Sequence, residues 1–157
     1  MSKRMMAIAL AVVLLVSALT GCGKKEAAAP VNGEELYKKM AALNLFPEMI
    51  RRDEQMVSDY YGIEPDKCVQ LVNYVTADGL LAEEFLLVET KEEAYAATVE
   101  QLLSEELARQ GETYRDYMPE EYEKIAAARL ERRGAYVLLI VSNDADALYA
   151  VFSDGAK

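Results

Sequence analysis

Carboxylates are the most abundant side chains of this sequence that could perform acid–base chemistry. The 157 residues include 27 Asp and Glu against 17 Lys and Arg, with two Cys and no His. Acid–base catalysis by carboxyl groups needs two of them in one cleft, with pKa values pushed apart. Neighbouring residues on a helix do not face each other. We therefore expect solvated surface positions for the adjacent acidic pairs, which are Glu83-Glu84, Glu92-Glu93, Glu105-Glu106 and Glu120-Glu121.

The lack of histidine excludes several kinds of site. Ser-His-Asp and Cys-His nucleophiles and His-ligated zinc all need an imidazole, and the sequence predicts no catalytic residue. Cys68 lies in a strand-like apolar stretch, so we expect a small buried residue rather than a reactive thiol. No glycine-rich phosphate loop is present, so nucleotide binding has no support.

Neither a metal nor a nucleic acid is predicted as a partner. Asn143-Asp144-Ala145-Asp146 has oxygen-bearing side chains at alternating positions, but it lacks the Gly and the closing Glu of a calcium loop. A helix start with acids that complement the helix dipole explains this string more simply. The formal net charge of −10 argues against nucleic acid, because phosphate binding needs a basic surface. We expect no cofactor.

Tyrosine is unusually frequent, with ten Tyr against three Phe and no Trp. A tyrosine combines ring area with a hydroxyl group and is enriched at protein interfaces. Five tyrosines fall in short or irregular elements, and they are either the rim of a core or a candidate interaction surface. They are Tyr60, Tyr61, Tyr114, Tyr117 and Tyr122.

The amino terminus has the layout of a secretory signal peptide. Residues 1–4 are basic, and the uncharged residues 5–20 are too few for a typical membrane-spanning helix. The string Leu19-Thr20-Gly21-Cys22 resembles the lipobox of bacterial lipoproteins. This resemblance implies cleavage between Gly21 and Cys22 and a diacylglyceryl group on the Cys22 sulfur, which supplies the two acyl chains that stable attachment needs. The alternative is an uncleaved signal anchor.

Three segments follow from this layout. Residues 1–21 are the predicted signal peptide, and residues 22–33 are the lipidated cysteine and a flexible tether that reaches about 17–20 Å. Residues 34–157 are a single domain, long enough for one hydrophobic core. Cleavage removes two bases and no acid, so the formal charge of the remaining chain is −12.

Two short helices are predicted before the first strand. Asn32 and Glu35 have the spacing of a helix start, and Pro47 limits the first helix. The second helix is expected over residues 53–61, with Gly62 at its end.

Two β-hairpins are predicted after these helices. The first pairs residues 68–76 with 84–89, and the second pairs residues 127–132 with 136–141. The continuously apolar run 136–141 is the best candidate for a central strand. The two units match with a constant offset, which either internal duplication or convergent helix-cap chemistry explains.

A helix follows each hairpin. The first is expected over residues 91–110, with Thr90 and Glu93 as a capping box and Gly111 at its end. The second begins near residue 144. The fold class is therefore α+β, with an antiparallel sheet from two β-hairpins, each followed by a helix, and with the N-terminal helices packed on one face.

Four strings of the chain are distinctive: Leu45-Phe46-Pro47-Glu48-Met49, Tyr61-Gly62-Ile63, and residues 117–122 and 134–147. On these strings, residues 34–153 resemble small lipoproteins of clostridial-type Gram-positive bacteria that are catalogued as a domain of unknown function. The resemblance implies a cell-surface lipoprotein and carries no activity, substrate or catalytic residue. One departure is Asn143-Asp144, where the family often has two acidic residues.

These observations predict a non-enzymatic binding or accessory module, lipid-anchored at the outer face of the cytoplasmic membrane. Its expected partners are the membrane, through the lipid, and an unknown envelope protein or wall-side ligand. One alternative is a carboxylate-based cell-wall hydrolase, which needs two acidic groups about 5–9.5 Å apart in one groove. Another is an envelope-assembly helper that docks a membrane partner through the tyrosine-rich segment.

The lipobox is tested by Cys22→Ala. The variant should accumulate as the unprocessed precursor and take up no labelled palmitate, because the acceptor sulfur is gone. Metabolic labelling followed by detergent partitioning measures both effects. Continued palmitate incorporation by the variant contradicts the assignment.

Overall fold

The computed structural model of the chain describes residues 30–155. The predicted signal peptide, Cys22 and most of the predicted tether lie outside the described residues. The helices are α1 (Gly33–Ala41), α2 (Glu54–Tyr61), α3 (Glu93–Tyr114), α4 (Pro119–Ala126) and α5 (Ala145–Gly155). The strands are β1 (Met49–Arg52), β2 (Cys68–Thr76), β3 (Glu84–Thr90), β4 (Arg129–Arg133) and β5 (Tyr136–Val141), and a 3₁₀ turn spans Pro65–Lys67.

The five described strands form an antiparallel sheet in the order β1-β2-β3-β5-β4. This confirms the α+β class and the two predicted hairpins, β2–β3 and β4–β5, each followed by a helix. The run 136–141 is an interior strand, as expected, and β3 is the middle strand. Strand β1, which extends the sheet beside β2, was not predicted, because its four residues include two arginines and no apolar alternation.

The sheet is covered by helices on both faces. Alternate residues of β3 and β5 enter two separate apolar clusters, with Leu86 and Leu139 in one and Leu87 and Leu138 in the other. Helices α2, α3 and α4 cover the first face, and α1 and α5 cover the second. The expectation that the N-terminal helices share one face is therefore wrong, since α1 and α2 lie on opposite faces.

The continuous apolar runs of β3 and β5 are the physical reason for this arrangement. A strand with one wet face alternates apolar and polar residues, whereas a strand buried on both faces is apolar throughout. The side chains from Phe85 to Val88 are all fully buried. The helices after the two hairpins also lie on opposite faces, although both hairpin–helix units have the same order of elements.

Cap residues define the first two helices as predicted. The Asn32 side chain accepts a hydrogen bond from the Glu35 backbone N–H at 3.0 Å. The Asp53 side chain accepts one from Met56 at 2.8 Å at the start of α2. Gly62 ends α2 in the left-handed region, at φ 74°, where glycine is favoured.

Helix α3 differs from its prediction at both ends. Thr90 still belongs to β3, and its hydroxyl donates to the carbonyl oxygens of Glu92 and Ala135, so no capping box with Glu93 forms. At the other end the helix continues through Gly111 to Tyr114. Gly111 is buried in the helix because the Tyr122 ring of α4 packs against it.

The described chain begins on the α1/α5 face of the sheet. The Val31 backbone donates to the Tyr136 hydroxyl at 3.2 Å and accepts from the Gln70 side chain at 2.6 Å. The Gly33 N–H donates to the same Gln70 side chain at 2.8 Å. These bonds fix where the chain enters the domain. Among residues 30–155, no helix is both long and apolar enough to cross a membrane.

The two buried glycines respond oppositely to an added methyl group. At Gly111 a Cβ would lie 3.5 Å from the Tyr122 ring, which is ordinary contact, so Gly111→Ala should stabilise the domain by about 0.5–1 kcal/mol. At Gly33 a Cβ would lie 2.8 Å from Val72 Cγ2, so Gly33→Ala should destabilise it by about 1–3 kcal/mol. Urea unfolding of the two variants measures both changes, and equal midpoints contradict this packing.

Candidate ligand-binding cleft

An open cleft of about 200 Å³ lies beside the turn between β2 and β3. Its walls come from the end of β1, from α2 and α3, and from the β2–β3 turn. The lining is mainly polar and includes carboxylates, tyrosines, an arginine and an amide. These polar residues are Arg52, Tyr60, Thr76, Asp78, Glu83, Glu84, Gln110 and Tyr114.

Glu84 is the most buried acid of the cleft, with 4% of its surface exposed. Its Oε1 accepts hydrogen bonds from the Tyr61 hydroxyl at 2.5 Å and from Asn73 Nδ2 at 2.6 Å. Oε2 accepts none from any residue between 30 and 155. Burial raises the pKa of Glu84, and the bonds from Tyr61 and Asn73 partly oppose that shift. The carboxyl group is therefore fixed in position, with one oxygen unpaired.

Glu83 belongs to a buried ion cluster with α4. Lys124 Nζ lies 2.6 Å from Glu83 Oε1 and 2.8 Å from Glu121 Oε1. Glu121 Oε2 accepts from the Ala82 N–H at 2.8 Å. Burial alone would lower the pKa of Lys124, but its bonds to Glu121 and Glu83 outweigh that effect and the pKa is raised. Glu83 Oε2 is buried and has no hydrogen-bond partner among the described residues.

The expectation of solvated acids is wrong for three of the paired residues. Glu83, Glu84 and Glu121 are at most 8% exposed, and Glu106 is half-buried beside Arg109, whereas Glu92, Glu93, Glu105 and Glu120 are exposed as expected. Glu83 directly precedes β3 and Glu84 begins it, and because that strand is covered on both faces, its start is excluded from water as well. In the sequence, the apolar run that follows Glu83 and Glu84 was the feature that indicated their burial.

Two arginines flank the Tyr60 ring at the rim of the cleft. The guanidinium carbons of Arg52 and Arg109 lie 5.1 Å and 5.9 Å from the ring centroid. The Tyr60 hydroxyl accepts from Gln110 at 3.2 Å. Arg109 also pairs with Glu106, but Arg52 forms no ion pair with any carboxylate in the described part of the chain. Arg52 thus brings a positive charge to the cleft without a direct ion pair, and this charge acts to lower the pKa of the nearby Glu84.

The five predicted surface tyrosines do not lie on one surface. Tyr60 and Tyr114 line the cleft, and Tyr61 is buried below it against Glu84. Tyr122 packs on Gly111 and lines a separate groove between α3 and α4. Tyr117 is 80% exposed between the same two helices. The structure therefore brings three of them together, and the proposed role in binding partners stays a prediction.

Two other positions considered from the sequence do not add to the cleft. Cys68 is buried, as predicted, and burial raises the pKa of its thiol to about 11, so the thiol is protonated at neutral pH. Asp146 forms an ion pair with Arg129 at 2.6 Å. Residues 30–155 contain no group of three or more acids or cysteines that could hold a metal ion.

Several residues that line the cleft or bond to its buried acids had no distinguishing sequence signal. Arg52, Asn73, Gln110 and Lys124 come from four different elements and become neighbours of the acids only in the folded chain. Glu121 and Lys124 are three residues apart on α4, a spacing at which helix side chains can pair, but this spacing gives no sign of burial against Glu83.

A family model described as "Domain of unknown function (DUF4358)" matches residues 42–142. The matched range runs from the end of α1 to the end of β5 and includes every residue of the cleft. The search of curated proteins and the search of solved structures each returned no match.

Because Glu84 is buried, we expect the free energy of unfolding to fall as the pH rises. Because burial raises its pKa in the folded state, the folded chain binds the proton more tightly than the unfolded chain, and stability is lost as pH rises from the ordinary glutamate range through the raised pKa. Glu84→Gln should therefore match the wild type at pH 4 and exceed it at pH 8 in urea unfolding. The exposed Glu105→Gln is the control. A Glu84→Gln variant less stable than the wild type at pH 8 contradicts this account.

Proposed function

The chain belongs to the DUF4358 family, a domain of unknown function, and from that premise we propose that it is a lipid-anchored, extracytoplasmic binding module. The proposed ligand site is the cleft beside the β2–β3 turn. Its proposed location is the outer face of the cytoplasmic membrane, where the ligand is either a wall-side molecule or part of an envelope protein.

The observation that carries this proposal is the convergence of unpaired polar groups in the cleft. Ligand sites are concave and hold a few well-placed polar groups that orient the ligand. Here the Glu84 carboxyl, the Tyr60 hydroxyl and the Arg52 guanidinium, which has no ion-pair partner among the described residues, stand on walls supplied by separate elements. The hydrogen bonds from Tyr61 and Asn73 fix Glu84 before any ligand arrives, which lowers the entropic cost of binding.

The amino-terminal sequence supports the proposed location. The basic residues, the short apolar run and the string Leu19-Thr20-Gly21-Cys22 agree with export and lipidation. The processed chain would carry a formal charge of −12, so it would be repelled by anionic headgroups within about 8–10 Å at physiological salt. That repulsion favours a domain held off the bilayer with its surface available to wall-side partners.

A binding role fits the carboxylates better than catalysis does. One oxygen of Glu83 is held by Lys124, which also pairs with Glu121, so Glu83 is fixed in an ion cluster and is not free to move toward a reacting group. One observation nevertheless favours a hydrolase as a second candidate. Asp78, Glu83 and Glu84 line the same cleft, and a general acid requires a raised pKa such as that of Glu84.

Binding can be tested with a soluble muramidase digest of purified bacterial cell wall. The full chain, purified from membranes in detergent, should unfold at a higher temperature in the digest. A ligand at a hundred times its Kd stabilises by about 2.7 kcal/mol. Gly79→Trp should abolish the shift, because Gly79 lines the cleft and has open space where a side chain would project. Ala97→Trp, at an exposed site on α3, should retain it.

Chromatography of the digest separates the two candidate functions. A binding module leaves the composition of the digest unchanged. New products that form with the wild type and not with Glu84→Gln would instead support a hydrolase. A thermal shift that persists in Gly79→Trp would contradict the cleft as the ligand site.

A further inference from the structure

We infer that the cleft binds a small zwitterion, a molecule with one ammonium group and one carboxylate group on a framework the size of a free amino acid. The inference rests on the proposed function and names the ligand class for the same cleft. It is carried by unpaired groups of opposite charge that meet there.

The ammonium group is assigned to the carboxylates at the start of β3. Glu84 and Glu83 are each more than nine-tenths buried and line the cleft. Tyr61 and Asn73 both bond to Oε1 of Glu84, and no residue between 30 and 155 bonds to its Oε2. Two buried atoms near it, Glu83 Oε2 and Asn73 Oδ1, also have no hydrogen-bond partner among the described residues.

All three unpaired atoms are hydrogen-bond acceptors, so the group that completes them must be a donor. An ammonium group offers three N–H donors and a positive charge, and its bonds to carboxylates are charge-assisted. A metal ion is a poorer match. Calcium takes six to eight oxygen ligands, and residues 30–155 contain no group of three Asp, Glu or Cys side chains that could hold a metal ion.

The carboxylate group is assigned to Arg52. Its neighbour Arg51 is already paired with Glu34, at 2.7 Å, but Arg52 pairs with no carboxylate between residues 30 and 155. The Tyr60 ring packs against the Arg52 guanidinium, which leaves the donors at its edge available. A guanidinium binds carboxylates in a planar, two-bond geometry.

The volume of the cleft limits the size of the group that enters it. About 200 Å³ corresponds to six or seven water molecules at about 30 Å³ each. This space accommodates a free amino acid of modest size, or a zwitterionic end of the same size on a larger wall fragment that extends out of the open cleft. In either case the charges at the two sides require a free ammonium group and a free carboxylate on the part that enters.

Binding of free amino acids to the full chain in detergent tests the inference. The probes are glycine and both enantiomers of alanine and serine, each compared with its N-acetyl and its amide derivative. At least one free amino acid should bind in calorimetry, and its two derivatives, which each lack one charge, should bind at least tenfold more weakly. Equal binding of either derivative, or calcium binding in place of the amino acids, overturns the inference.

Matched variants locate the two charges. Arg52→Gln and Glu84→Gln should each weaken binding about tenfold to a hundredfold. Arg51→Gln and Glu89→Gln, at neighbouring positions outside the cleft, should leave it unchanged. Equal affinity in all four variants overturns the inference.

The wall digest and the amino acids together distinguish the two proposals. If the wall digest raises the unfolding temperature of the wild type but not of Gly79→Trp, and no amino acid binds, the ligand class is wrong and the binding module stands. If neither binds, both proposals fail.

Discussion

Burial of β3 on both faces is the constraint on which the rest of the domain depends. An apolar strand without a wet face needs a helical layer on each side of the sheet, and α1 with α5 and α2 with α3 and α4 provide the two layers. The same cover removes water from Glu83 and Glu84, where the strand begins. Because a buried charge is costly unless it is paired or hydrogen-bonded, Tyr61, Asn73 and Lys124 must come from three other elements to meet them.

The buried polar groups contribute more to geometry than to net stability. The desolvation of an ion cluster such as Glu83, Lys124 and Glu121 often cancels its Coulomb energy, although removal of one member is severely destabilising. What the cluster does is fix α4 to the β2–β3 turn through short contacts on both sides of the lysine. The Glu84 bonds fix α2 to the same end of the sheet. A cleft whose walls are tied together in this way keeps its shape without a ligand.

The elements of this fold were largely predictable from the sequence, and their assembly was less so. Local signals are strong at Asn32, Asp53 and Gly62, where cap chemistry depends on a few neighbouring residues, and the structure has these caps. Gly111 was misinterpreted because a glycine that ends a helix and a glycine that accommodates the Tyr122 ring are identical in sequence. The unbroken apolar runs of β3 and β5 indicate strands that are buried on both faces. They do not show which helices cover each face. The cleft was beyond prediction because Arg52 and Glu84 meet only through the pairing of β1, β2 and β3.

The point where the chain enters the domain lies away from the cleft. Val31 is bound to Tyr136 and Gln70 on the α1/α5 side of the sheet, whereas the cleft is walled by helices of the other side. If Cys22 carries the proposed lipid, the anchor joins the domain on the side opposite those helices. A ligand then reaches the mouth of the cleft without passing the point of attachment.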